Sequence, residues 1–194
     1  MRDEVIAFKR DRIVKAAEKL FYQHGYDSTT VDAIAAELKT TKQFIYSYFD
    51  SKSEILFIVC QAGSALALEM AERISRSEGE PGKQLDELIR GFARVITQEK
   101  MSVAIFIREE KNLEPAHIAE INRRRRAFDQ ILSGILDEGQ SKGLFQVDDT
   151  QTTARLISGM INFTYSWFKP GRKLSAQALA ETTARLVQRM VRAS

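Results

Sequence analysis

The sequence predicts an all-α protein, and three observations support this fold class. Only three prolines and ten glycines interrupt its 194 residues. No stretch shows the sustained alternation of apolar and polar residues that a half-buried strand requires, and apolar residues recur at helical spacing almost throughout. A first helix is therefore expected from about Asp3 to Gln23. Gly25 is its expected C-cap, because glycine adopts the left-handed conformation freely.

Residues 29 to 55 predict a helix-turn-helix followed by the start of another helix. Apolar residues at i, i+3, i+4 and i+7 form one stripe on a short first helix: Val31, Ile34, Ala35 and Leu38. We expect Thr29 and Asp32 to form the capping box that starts it. The helix should end at a break formed by Lys39 and Thr40.

A second short helix is expected to begin near Thr41 and to bury Ile45 and Phe49. Its remaining side chains should face outward: Thr41, Lys42, Gln43, Tyr46 and Tyr48. Two short helices joined by a tight turn, with a polar and aromatic outer face, suit the major groove of DNA.

Longer helices are expected through the rest of the chain. The first of them runs from about Lys52 to Ser75, and the clearest break follows at residues 78–82. Further helices are predicted near residues 82–99, 102–110, 115–142, 149–168 and 175–192.

The helix-turn-helix stretch, together with Leu20-Phe21 and Gly25-Tyr26, resembles the tetracycline-repressor (TetR) family of transcriptional regulators. The resemblance covers about the first third of the chain. It rests on a Thr pair, an Ile-Ala, a Tyr two residues before a Tyr-Phe, and then Ser-Lys and an acidic residue. Two positions depart from the family. Lys39 stands where a turn glycine is usual, so it must accept a positive φ at some cost or reshape the turn; Gln43 stands where a small residue is frequent.

The resemblance implies an amino-terminal three-helix DNA-binding domain at residues 1–51 and a carboxy-terminal helical domain for ligand binding and dimerisation at residues 52–194. It implies a homodimeric repressor, not an enzyme, that binds an inverted-repeat operator in double-stranded DNA and is released by a small-molecule effector. Site residues carry over by position. Phosphate contacts are expected from Thr30, Tyr46, Tyr48 and Lys52, and base contacts from Thr41, Lys42 and Gln43. Lys42 would favour guanine and Gln43 adenine.

The predicted helix 149–168 is apolar on two sides. One stripe contains Leu156, Met160, Phe163 and Trp167, and the other contains Ile157, Ile161, Tyr165 and Phe168. A helix that is apolar on two sides must be covered on two sides. We therefore expect helices 149–168 and 175–192 to pack on each other and on a second copy, as in the four-helix dimer bundle of the family.

A run of four arginines, residues 123–126, lies on the predicted helix 115–142. At 100° per residue Arg125 falls inside the apolar arc of that helix, whereas Arg123 and Arg126 point away. A buried arginine needs a partner. Two partners are possible: an internal acid, Glu109 or Glu110, or the anionic group of a ligand.

Aromatic residues at helical spacing are often simply core residues, but family members enclose an inducer with their carboxy-terminal helices. The cavity is therefore expected to be lined by Phe92, Phe106, Arg125, Phe128, Met160, Phe163 and Trp167. Residues 167–175 resemble the corresponding stretch of acyl-CoA-responsive members, which suggests an acyl-CoA or another anionic apolar ligand. A drug-responsive repressor is the neighbouring hypothesis, although a cationic drug would prefer acidic walls.

Other chemistry has little support in the sequence. The net charge is only +3, so DNA binding depends on the placement of individual groups. A single cysteine, Cys60, excludes an internal disulfide and favours a cytoplasmic compartment. No metal, cofactor or membrane partner is expected, because His24 and His117 are isolated and no apolar run reaches the roughly 18 residues of a membrane span. The alternative function is an all-α small-molecule-binding protein or enzyme that does not read DNA.

Overall fold

The protein is all-α in a computed structural model that describes residues 2–169, 171 and 174–192. Within these residues the regular elements are ten α-helices and one 3-10 turn, and an isolated β-bridge joins Phe145 to Arg192. The α-helices are α1 Arg2–His24, α2 Val31–Glu37, α3 Lys42–Tyr46, α4 Lys52–Ser75, α5 Pro81–Gln98, α6 Lys100–Glu109, α7 Pro115–Ser141, α8 Thr150–Asn162, α9 Thr164–Trp167 and α10 Ala176–Val191; the 3-10 turn is Glu110–Asn112.

The helix boundaries agree with the sequence to within a residue or two, with two exceptions. The second short helix was expected to include Tyr48 and Phe49, but α3 ends at Tyr46. The predicted helix 149–168 is divided at Phe163 into α8 and α9. Gly25 has φ +84° and its N–H donates to the carbonyl of Phe21, which confirms it as the residue that ends α1.

The chain forms two compact units. The first comprises residues 1–62 and 101–121, and the second comprises residues 63–100 and 122–194. These units differ from a division at residue 51, because α6 and the beginning of α7 belong to the amino-terminal unit. The functional division into DNA-binding and ligand-binding domains stays a prediction.

The core of the amino-terminal unit is built from α1, α2, α3, the first half of α4, α6 and the beginning of α7. Ile13, Phe21, Ile34, Ile45 and Phe49 are almost completely buried in it. Full burial of such a side chain stabilises a fold by about 1.5–3 kcal/mol. This core therefore holds the short helices α2 and α3, which are too short to be stable alone.

In the carboxy-terminal unit α5 packs mainly against α10, and also against α8 and α9. The apolar face of α5 is buried along its length. Gln188 of α10 donates to the backbone carbonyl of Gly82 at the start of α5. These contacts leave one face of α8 and α10 outside the core of this unit.

Helix α4 is the most apolar of the long helices. By length and composition alone it could span a membrane, because an 18-residue stretch of it has a mean hydropathy of 1.5. This finding differs from the expectation that no apolar run is long enough for a membrane span. Several of its residues, including Ile55, Leu56 and Val59, are core residues of the fold. Cys60 lies beside them, and burial, followed by the negative charge of Glu109, raises the pKa of its thiol to about 12. Cys60 is therefore a protonated, buried thiol at neutral pH.

Candidate nucleic-acid interface

Threonine side chains start both helices of the helix-turn-helix. The hydroxyl of Thr30 accepts from the N–H of Ala33, and that of Thr41 accepts from the N–H of Phe44. Each threonine is an N-cap that satisfies an otherwise unpaired donor. The expected cap at Thr29 was wrong by one residue. Thr29 is buried and its hydroxyl donates to the carbonyl of Gly25, because it closes the α1–α2 loop instead.

The turn between α2 and α3 contains a lysine in the left-handed conformation. Lys39 has φ +55°. Its N–H donates to the carbonyl of Ala36, and the N–H of Thr40 donates to the carbonyl of Ala35. This pair of bonds is the Schellman motif, in which glycine normally occupies the position of Lys39. Of the two outcomes expected for a lysine here, the chain adopts the positive φ and keeps the usual turn.

The outer face of α3 is polar and accessible. Ile45 and Phe49 are buried as predicted, whereas Lys42, Gln43 and Tyr46 are exposed. The Lys42 ammonium lies 3.4 Å from a carboxylate oxygen of Asp32. An ion pair this exposed contributes little to stability, so Lys42 can exchange Asp32 for a nucleic-acid acceptor at small cost.

Tyr48 and Lys52, both predicted phosphate contacts, are only half-exposed. The ring of Tyr48 lies 5.1 Å from that of Phe44. Lys52 donates to the carbonyls of Tyr26 and Thr29 at 2.9 Å each, and its ammonium is 4.0 Å from the ring centre of Tyr26. Lys52 therefore fastens α4 to the α1–α2 loop, and one of its three N–H donors remains for a phosphate.

The same loop is held by a pair of residues from α6 that sequence reasoning did not find. Arg108 donates to the carbonyls of Phe21 and Tyr22 at the end of α1. The Glu109 carboxylate accepts from the N–H of Tyr26 and from Arg108 and Asn112. Adjacent helical residues do not usually face the same neighbour, so the sequence contained no signal for this clamp.

Burial alone would raise the pKa of Glu109, since its side chain is only 6% exposed. The hydrogen bonds from Arg108, from the N–H of Tyr26 and from Asn112, together with the charge of Arg108, outweigh burial and lower the pKa. Glu109 is one of the two acids considered as a partner for Arg125. Its carboxylate is bound by Arg108, Asn112 and Tyr26, all in the amino-terminal unit.

Of the residues predicted to line an effector cavity, the structure brings two together. Phe92 of α5 and Phe128 of α7 are buried in the carboxy-terminal unit with ring centres 4.3 Å apart. Phe106 is also buried, but it belongs to the core of the amino-terminal unit. Arg123 and Arg126 are exposed, as the helical wheel predicts, but Arg125 is only half-buried and does not differ in this from Arg124.

The other three predicted cavity residues are on the surface of the described chain. Met160, Phe163 and Trp167 are 39%, 62% and 51% exposed. Placing them in an enclosed cavity was wrong for this chain alone, because α8 and α9 bury their other stripe, including Ile157, Ile161 and Phe168. Large apolar side chains are also exposed elsewhere on α8 and on α10. We call this set the apolar strip: Leu156, Met160, Phe163, Trp167, Leu186 and Met190.

A polar groove of about 260 Å³ lies between α7 and α8. Its lining includes Arg126, Asp129, Asp137 and Arg155, and none of the residues predicted to hold an effector lines it. The stretch 167–175, which resembles acyl-CoA-responsive regulators, extends over Pro170, Arg172 and Lys173, which lie outside the described residues.

Comparison with known proteins identifies relatives for both parts of the chain. A family model for bacterial regulatory proteins of the tetR family matches residues 13–58, and a model for the tetracyclin repressor-like C-terminal domain matches residues 78–191. The HTH-type transcriptional repressor NicS of Pseudomonas putida is 25% identical over 167 residues, which is 81% of this chain and 75% of that protein.

Solved structures agree in fold. The TetR family transcriptional regulator PfmR from Thermus thermophilus is 26% identical and superposes with a TM-score of 0.84 over 92% of this chain and 97% of that one. AibR in complex with isovaleryl coenzyme A and operator DNA is 23% identical, with a TM-score of 0.77 over 92% and 97% of the two chains. The matched families and the curated repressor are those of transcriptional regulators, not of enzymes.

Proposed function

This chain belongs to the tetracycline-repressor family of transcriptional regulators, and we propose that it is a homodimeric repressor released from its operator by a small-molecule effector. The observation that carries the proposal is the outer face of α3. Lys42, Gln43 and Tyr46 are exposed on a helix whose buried side, at Ile45, is fixed in the core. Side chains that donate to base edges and phosphates are thus presented on a rigid support. We propose that the protein acts in the cytoplasm, where it would bind its operator DNA.

The apolar strip supports a dimer. Isolated exposed apolar side chains are ordinary, but six large ones on three helices that all pack on α5 are typical of an interaction surface. A second copy, related by a two-fold axis, would cover the strip with the same strip. A two-fold dimer presents two α3 helices, so the proposed operator is an inverted repeat with half-sites about one helical turn apart.

An effector acts in this proposal by favouring a dimer geometry in which the two α3 helices no longer fit successive major grooves. A difference of about 1–3 kcal/mol in effector affinity between the two geometries lowers DNA affinity about 5–150-fold. We propose an acyl-CoA or another anionic apolar ligand. The apolar contact would come from the region of Phe92 and Phe128, and Arg125 would hold the anionic group. AibR shows that the shared fold accommodates such a ligand in that protein.

A DNA-binding assay tests the proposal directly. A duplex selected from a random library by the wild-type chain should contain an inverted repeat. Gln43→Ala should relax the preference at one position per half-site, by about 1–3 kcal/mol. Gln23→Ala, an exposed glutamine at the end of α1, should change nothing. Failure to select any duplex would favour the alternative of a small-molecule-binding protein that does not read DNA.

The effector is tested with the same duplex. A fatty acyl-CoA should release the wild-type chain, and Arg125→Met should retain DNA affinity but lose the release, whereas the exposed Arg123→Met should behave as wild type. Equal release of both variants would remove Arg125 from the effector site.

A further inference from the structure

A hollow of about 210 Å³ lies beside the turn of the helix-turn-helix. Two cations on α1, Lys9 and Arg12, and one in the turn, Lys39, line it. The other lining residues are Thr40 and the apolar Ile13, Leu38 and Phe44. Three positive side chains from two separate segments thus converge on one opening. Like charges that line one opening repel one another, and an anion in the opening would relieve that repulsion.

Four other cations of the helix-turn-helix region have acidic partners. Lys15 pairs with Asp11 and Lys19 pairs with Glu37 at 2.7 and 2.6 Å. Arg10 and Lys42 are paired in the same way, with Glu54 and Asp32. In contrast, no carboxylate among the described residues lies within ion-pair distance of Lys9, Arg12 or Lys39. Among the same residues Lys52 also has no carboxylate partner, but its ammonium is held by two backbone carbonyls. The hollow therefore gathers three cations that no carboxylate of the described chain neutralises.

The backbone of Lys39 is an independent indication. A non-glycine residue at φ +55° is strained, and glycine would form the same Schellman turn freely. Strain retained at a particular residue supports a functional hypothesis for its side chain. Here the residue that bears the strain is also one of the three cations.

The hollow lies beside the recognition helix. The Lys9 ammonium is 5.8 Å from the ring centre of Phe44 and 6.0 Å from that of Tyr48. Helix α3 has five residues and is therefore about 7.5 Å long, whereas the major groove is about 12 Å wide. Cations immediately beside a helix that occupies the groove would lie near the phosphates of the groove wall and beyond reach of the bases.

We propose that this hollow binds a backbone phosphodiester of the operator, held by Lys9, Arg12 and Lys39. The proposal rests on the DNA-binding function proposed above and adds a phosphate site that the family resemblance did not include. Contacts to phosphate are independent of base sequence and release condensed counterions. The site would thus fix the register of α3 and increase the salt dependence of binding.

Lys39→Gly is the decisive variant because stability and DNA binding should change in opposite directions. Removal of the backbone strain should raise the melting temperature by about 2–4 °C. Loss of one phosphate contact should weaken binding to the selected duplex and to a scrambled duplex alike, about tenfold at low salt, and reduce the slope of log affinity against log salt by about 1. Lys9→Ala and Arg12→Ala should each reduce that slope similarly. Lys15→Ala, which removes an ion-paired cation of α1, is the matched control and should leave the slope unchanged.

The outcomes separate the two proposals. A wild-type chain that binds no duplex overturns the DNA-binding function and this site with it. If the wild-type chain binds DNA but Lys39→Gly has the affinity and salt slope of Lys15→Ala, the phosphate site alone is overturned. The same conclusion follows if inorganic phosphate at constant ionic strength raises the melting temperature of the wild-type chain, but not of Lys39→Gly, while DNA binding is equal. The hollow would then bind a free anion.

Discussion

Replacement of Glu109 by glutamine tests the clamp that joins α6 to the α1–α2 loop. The Glu109 carboxylate accepts hydrogen bonds from Arg108 at 2.8 Å, from Asn112 at 2.9 Å and from the N–H of Tyr26 at 3.3 Å. All three partners are donors, and a carboxylate can accept from all of them. Glutamine has the same shape, but its NH₂ group must face at least one of these donors.

The magnitude follows from the environment of the pair. Removing one partner of a fully buried ion pair costs about 3–5 kcal/mol. Arg108 is 46% exposed, so water solvates it once the carboxylate is gone, and the full penalty does not apply. We therefore expect a loss close to that of a charged hydrogen bond, about 1.5–3 kcal/mol. At about 2–4 °C per kcal/mol for a chain of this size, the melting temperature should fall by about 3–12 °C.

The measurement is thermal and urea unfolding followed by circular dichroism, with Glu110→Gln as the control, because Glu110 is the exposed neighbour of Glu109. Folding lowers the pKa of Glu109. The ionised carboxylate therefore stabilises the fold fully above the unfolded pKa of about 4.3, and this stabilisation is lost as the pH falls through the lower pKa of the folded state. The difference between Glu109→Gln and wild type should thus be largest near pH 7 and shrink below about pH 4. Equal melting temperatures for the Glu109 and Glu110 variants at pH 7 would refute the clamp.

Two further predictions concern the carboxy-terminal unit. Met190→Glu should convert the dimer to a folded monomer in sedimentation, because Met190 is an exposed member of the apolar strip, whereas Arg185→Ala on the same helix should remain dimeric; an intact dimer for Met190→Glu would place the interface elsewhere. The buried Val187 is unsuitable for this test, since a charge there would unfold the chain. Gly139→Ala should destabilise by about 1–3 kcal/mol, because its Cβ would lie 2.0 Å from the buried ring of Phe145. Gly134→Ala in the same helix meets nothing within 4 Å and should stabilise by about 0.5–1 kcal/mol, so a destabilised Gly134→Ala in urea unfolding would contradict this reasoning.

Local features of the candidate interface could be predicted from the sequence. The end of α1 and the start of α3 depend on Gly25 and Thr41, whose backbone preferences and capping bonds act within four or five positions. The burial of Ile45 and Phe49 follows from helical periodicity in the same way. The positive φ of Lys39 was one of two expected outcomes, because the turn itself requires that conformation.

Partners that are distant in sequence could not be predicted. Lys52 binds the carbonyls of Tyr26 and Thr29, and Arg108 and Glu109 reach the end of α1 and the following loop. Periodicity places a side chain on a face of its own helix but does not specify which other segment packs against that face. The convergence of Lys9 and Arg12 on Lys39 depends on tertiary packing for the same reason.

The sequence by itself determined the all-α fold, the helix-turn-helix and its family, because these depend on local spacing and on a motif within about 30 residues. It also determined that the helix at residues 149–168 has two apolar stripes. Only the tertiary structure decided which stripe is inside. Ile157 and Ile161 are buried and Met160 and Phe163 are exposed. The two stripes are similarly apolar, and the positions of α5 and α7 against α8 distinguish them.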